Sequence, residues 1–182
     1  DDLRIGGMIE RIVGTQAYRA ERSRVLTTEQ LYTTLVDLLG WGEEESISSG
    51  LEPLLWSTDH RLLGGGTDDN TVLLRNPSHG IGNQLLAAWA GRRAASAVIE
   101  DLERDLGDRV ILDVEGIDTA SPEEDAVRDQ LARLHSRFLT LPVEADSEEV
   151  DLLLELWQSA WEAGDTESAW CEVVAALTRH PA

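Results

Sequence analysis

The stretch SPEEDAVRDQLARLHSRFLTL, residues 121–141, decides the fold class. Val127, Leu131, Leu134, Phe138 and Leu141 recur at spacings of 4, 3, 4 and 3. An α-helix turns once in about 3.6 residues, so this rhythm lines one face with apolar side chains. Ser121-Pro122-Glu123-Glu124 reads as a capping box with proline at the first helical position. The same grammar recurs twice downstream. Asp146-Ser147-Glu148-Glu149 opens a helix with Val150, Leu153, Leu154, Trp157 and Trp161 inward and Gly164 at its end. Asp165 or Thr166 caps another, with Trp170, Val173, Val174 and Leu177 inward. Short connections predict that these last three helices form an antiparallel up-down array.

Toward the N-terminus the signals are weaker. Ile5, Ile9, Ile12 and Val13 mark a first helix over residues 2–20, diluted by Gly6, Gly7 and Gly14. Thr27 to Gln30 is a second capping box, opening a helix with Leu31, Leu35 and Leu38 inward and Gly40 as its stop. Residues 41–57 read as loop with one turn near Leu54 to Trp56. Residues 58–76 read as one long irregular Gly/Asp-rich loop. Asn76-Pro77 then caps a helix over roughly 78–106, whose core face is expected at Ile81, Leu85, Trp89, Ile99, Leu102 and Leu106. Val110-Ile111-Leu112 suits an extended segment. The expected fold is all-α, a single helical domain over residues 1–182 with about six helices.

Composition narrows the function classes. The 182 residues carry 15 Arg, no Lys and 35 acids, for a net charge of −20. Nucleic acids and anionic membranes need a positive footprint, so neither is an expected partner. The apolar runs are too short for a transmembrane segment. One Cys excludes an internal disulfide framework and a Cys-rich zinc module. The chain opens on Asp1-Asp2-Leu3 without a basic or apolar leader, which reads as a processed subunit or the C-terminal piece of a longer protein.

Candidate chemistry concentrates in the loop. Asp59, Asp68, Asp69 and Asn70 are hard oxygen donors beside Gly64, Gly65 and Gly66, the donor type that Ca²⁺ takes. The spacing is not that of an EF-hand, and a solvated Asx-rich turn explains the same residues. Arg61 and Arg75 flank the loop and are placed to pair with its acids. Gly64-Gly65-Gly66-Thr67 lacks the Lys of a P-loop and runs into acids, which repel phosphate. His60, His79, His135 and His180 form no zinc-binding pair. Met8 and the first three of these are conceivable haem ligands, but a lone helical His such as His135 suits a structural role. The chain has no Cys-x-x-Cys-His run, so it cannot attach haem c covalently. Cys171 reads as a buried, inert thiol. Of the six Trp, Trp56, Trp89, Trp157, Trp161 and Trp170 fall on apolar faces and are expected in the core, against the alternative of a sugar-stacking surface.

Three stretches carry a resemblance. They are Leu3-Arg4 through Tyr18-Arg19 to Leu31, then His60-Arg61-Leu62-Leu63-Gly64-Gly65-Gly66-Thr67-Asp68-Asp69-Asn70-Thr71-Val72, then Leu134 to Leu139 with Ala169 to Pro181. Together they resemble the C-terminal region of exported planctomycete and myxobacterial proteins of unknown function, which often accompany c-type cytochrome domains. His60 stands where that pattern has an aromatic, and Gly64-Gly65 where it has Tyr-Gly. The resemblance implies no catalytic residues. It implies an extracytoplasmic location, periplasm or cell surface, and haem c only on a partner or an upstream domain. The expected function is therefore a non-catalytic scaffold or interaction module whose partners are other protein subunits or upstream domains. The alternative is a ligand- or calcium-binding domain, even part of an enzyme, using residues 59–76.

Overall fold

Thr27 starts the first described helix as its residues dictate. Its hydroxyl accepts from the Gln30 backbone N–H at 3.1 Å, and the Gln30 side chain accepts from the Thr27 N–H at 3.0 Å. The computed structural model describes residues 27–41, 50–67 and 81–179. The expected helix over 2–20, the Asn76-Pro77 cap, Met8, His79, Arg75, Asp68, Asp69 and Asn70 lie outside the described residues.

Among the described residues there are seven α-helices, one 3-10 turn and no strand. They are α1 (Thr28–Leu39), α2 (Pro53–Trp56), α3 (Thr58–Leu63), α4 (Ile81–Leu102), α5 (Glu124–Leu139), α6 (Glu148–Ala163) and α7 (Thr166–Arg179). Gly40 ends α1 with φ +64°, and a Cβ there would sit 2.5 Å from the Val110 side chain. Both facts demand glycine. Ser147 caps α6 through the Val150 N–H, and Asp165 caps α7 through the Ser168 N–H at 2.8 Å.

α7 is the central element, packed against α4, α6 and α5. Ala169, Trp170, Val173, Val174, Ala175 and Leu177 are all buried, so more than one face of it is covered. The expected faces of α5 and α6 hold: Val127, Leu131, Leu134, Phe138, Val150, Leu154 and Trp157 enter one continuous core. Leu141 lies beyond the end of α5 and is exposed.

Several expectations are corrected. The long helix ends at Leu102 rather than near residue 106, and of its expected face only Trp89 and Leu102 pack against the core. Ile81, Leu85, Ile99 and Leu106 are exposed, whereas Leu86, Ala90, Gly91, Ala94, Ala97 and Val98 are buried. Small residues face α7 because the two backbones approach closely. Residues 58–63 are helical, not loop, since Ser57 caps them by accepting from the His60 N–H; Asp59 is therefore a helical residue. α5 starts at Glu124, with no side-chain cap from the Ser121-Pro122 box, because the backbone is still extended at Glu123. Trp56 is exposed because four-residue α2 turns only Leu54 inward. Trp41, outside the expected core, is buried.

Candidate functional site

Val110-Ile111-Leu112 joins no strand, and its backbone donors are satisfied by one side chain. The Asp101 carboxylate, buried at the end of α4, accepts from Val110 N at 2.8 Å, Ile111 N at 2.9 Å and Leu112 N at 2.8 Å. Gln130 of α5 completes the clamp, donating to the Ile111 carbonyl at 2.9 Å and accepting from Val114 N at 3.0 Å. Arg109 donates to the Leu102 and Arg104 carbonyls, both at 3.1 Å, and to Asp118 at 2.7 Å. It thereby caps the end of α4, a role a helix C-terminus offers to cations. That Arg109 hydrogen bond holds the Asp118 carboxyl below its usual range. Arg137 donates to the Val110 carbonyl, and Trp170 to that of Ile117 at 3.1 Å. An open cavity of about 600 Å³ lies beside the clamp, lined by Ile111, Asp113, Arg133 and Arg137. Its charges are spent internally, since Arg133 pairs with Asp113 at 2.8 Å. The segment is a structural lock.

The sequence-predicted loop is partly assembled. Arg61, Gly64, Gly66 and Thr67 meet Thr28 and Glu29 of α1 around a cavity of about 280 Å³. Arg61 donates to the Thr67 carbonyl at 3.2 Å, and its own carbonyl accepts from Gly66 N at 2.7 Å. Gly65 adopts φ +75°. The Glu29 carboxyl is held below its usual range, chiefly by a backbone N–H at the start of α1, with Thr27, Thr28 and Arg61 adding to it. His60 leans on Trp89, ring centroids 4.7 Å apart, and its Nδ1 meets the Ser57 hydroxyl at 2.9 Å. Asp59 is exposed on α3. Among the described residues no group of three or more His, Cys, Asp or Glu could hold a metal ion. His135 is buried on α5, with Nδ1 3.1 Å from the Leu141 carbonyl, which is a structural role.

A third cavity was not anticipated. About 330 Å³ lies between the start of α5 and the second half of α6, lined by Glu124, Leu154, Trp157, Gln158, Trp161 and Glu162. The Trp157 and Trp161 rings stack with centroids 5.8 Å apart and planes 16° apart, and Trp157 meets Trp170 at 5.5 Å. The sequence signal was present: two Trp four residues apart, the second followed by an acid. A core helix produces the same spacing, which hid the cavity.

Outside the core, Leu63, Ile81 and Leu85 form an apolar ridge, exposed by 42%, 78% and 58%. Ile81 and Leu85 are one helical turn apart, and a Cβ on Gly82 would lie 2.8 Å from the Leu63 carbonyl, so α3 ends against the start of α4. No described helix is long and apolar enough to cross a membrane. Compared with protein-family models, curated proteins and solved structures, the chain matches none.

Proposed function

We propose that this chain is a protein–protein interaction module. The observation that carries the reading is the ridge of Leu63, Ile81 and Leu85. A helix that exposes Ile81, Leu85 and Ile99 while packing Leu86, Val98 and its alanines inward has a second apolar face to cover, and such patches mark interaction sites. The sequence resemblance supplies the wider setting, an extracytoplasmic assembly in which a c-type cytochrome domain carries the haem and this chain scaffolds it.

A photo-crosslinking amino acid in place of Leu85, compared with one in place of exposed Glu155 on α6, tests this in cells that make the protein. One discrete adduct from position 85 and none from position 155 is expected, and haem staining of that adduct reads the cytochrome setting separately. Equal labelling from both positions, or none from position 85, overturns the interaction reading.

A further inference from the structure

The outer face of α4 differs in charge from the rest of the chain. The 30 residues from Asn70 to Ile99 hold no Asp or Glu, where the average composition would place about six. Leu85, Arg92 and Ile99 stand 4, 11 and 18 residues beyond Ile81, so helical geometry sets all four along one line, and all four are exposed. Ile81 to Arg92 spans about 16 Å of helix. Arg92 has no carboxylate partner among the described residues, whereas Arg104, Arg109, Arg128 and Arg133 each hold one. Arg93 lies over the Trp89 ring, 5.9 Å from its centroid, and pairs with no described acid either. Asp59 is the acid that α3 carries, one turn before Leu63, and it pairs with neither Arg. With 35 acids to 15 Arg, a guanidinium without an acid is the exception in this chain.

That charge pattern selects what covers the ridge. The chain's net charge of −20 draws basic partners from a distance, but salt screens that field beyond about 8 Å. At contact Arg92 and Arg93 decide. A basic segment laid along α4 would set cation against cation, whereas a carboxylate gains a bidentate, charge-assisted pair. An isologous second copy would bring the same acid-free face onto Arg92 and join two charges of −20. The described residues form no strand, so they offer no sheet edge to an extended peptide. A helix with anchors three and four residues apart suits a ridge built on a helix. We propose that Leu63, Ile81 and Leu85 receive an amphipathic helix of a partner protein, with its aliphatic stripe on the ridge and a carboxylate on Arg92. The inference rests on the interaction reading and adds the chemistry of the partner.

The test keeps the photo-crosslinking residue at position 85 and adds Arg92→Gln. Gln158→Glu, at an exposed position on α6, is the control, because it lowers the net charge by the same one unit away from the ridge. Arg92→Gln should cut the yield of the adduct roughly fivefold, Arg92→Lys should cut it less, and Gln158→Glu should leave it unchanged. All three proteins should melt with the parent, since these side chains are exposed. The crosslinked partner peptide, sequenced by mass spectrometry, should carry Asp or Glu within about two turns of aliphatic residues spaced three and four apart. An adduct from position 85 that Arg92→Gln leaves undiminished overturns this proposal and spares the interaction reading. So does equal loss from Arg92→Gln and Gln158→Glu, a crosslinked peptide without an acid, or an adduct with the mass of two copies of this chain. No adduct from position 85 overturns the interaction reading and this inference with it.

Discussion

A Cβ built on Gly91 of α4 would lie 2.8 Å from the backbone carbonyl oxygen of Ala175 on α7. The two helices thus meet at backbone distance, with Ala90, Ala94 and Ala97 completing the contact face. Two effects oppose each other in Gly91→Ala. Helix propensity favours alanine by about 1 kcal/mol. Overpacking costs about 1–3 kcal/mol, and a carbonyl held in a helix cannot swing aside as a flexible side chain can. The clash should win, lowering Tm by several degrees, at about 2–4 °C per kcal/mol for a chain of this size. Gly107→Ala is the control, since nothing lies within 4 Å of its Cβ position. A Gly91→Ala protein melting at or above the parent temperature would show that α4 and α7 do not meet this closely.

The Asp101 clamp makes the second prediction. Asp101→Asn keeps the volume but replaces one acceptor oxygen with an NH₂ that faces a backbone donor. Hydrogen bonds to a charged acceptor contribute about 1.5–3 kcal/mol, and orphaned buried amides cost about 1–3 kcal/mol each. Urea unfolding should show a loss of about 2–4 kcal/mol. Amide exchange should accelerate at Val110, Ile111 and Leu112 before it does in α7. Uniform acceleration across the chain would mean that Asp101 is not the local lock.

The contrast between α5 and α4 shows what the sequence made legible. Bulky side chains at spacings of 4 and 3 report a helix packing through its side chains, and Val127, Leu131, Leu134 and Phe138 are buried as that pattern requires. α4 instead packs through Gly91 and alanines, so Ile81 and Leu85 drew the eye to its outer face. The clamp was illegible for another reason. Asp101, Gln130 and residues 110–114 meet only after folding, and a buried polar side chain leaves no periodic trace. Within the Gly-rich stretch only Gly65 takes a positive φ, +75°, and the Ser57 cap that makes residues 58–63 helical leaves no trace in the apolar pattern.

Arg109 yields a prediction about geometry rather than charge. Its guanidinium serves two carbonyls and a carboxylate at once, a fork that an ammonium cannot reproduce. Arg109→Lys should recover little of the stability lost in Arg109→Ala. The pH dependence has a definite sign. The Asp118 carboxyl sits below the ordinary carboxylate range in the folded chain, held there by Arg109, so its contribution is present above that range and is lost as pH falls through the folded pKa. The parent should lose more stability than Arg109→Ala on acidification below about pH 4. Parallel acid unfolding curves for the two proteins would rule this pairing out.

Cys171 on α7 carries the last prediction. Its thiol donates to the Ala95 carbonyl at 3.3 Å, and burial first, then the charges of Glu167, Glu172 and Asp165, push it up from 9.0 to about 11. Only the thiolate attacks disulfide reagents. At pH 8 the folded thiol should therefore react roughly a hundredfold more slowly than the same thiol in denaturant, from the fall in thiolate fraction alone. The linkage runs with the proton: the folded state holds it more tightly, so the stabilising contribution is full below pH 9.0 and fades as pH rises toward about 11. The parent should thus lose stability across that interval faster than Cys171→Ala. Native and denatured reaction rates within about threefold of each other would place the thiol in an exposed environment. That result would also rule out the hydrogen bond from Cys171 of α7 to the Ala95 carbonyl of α4.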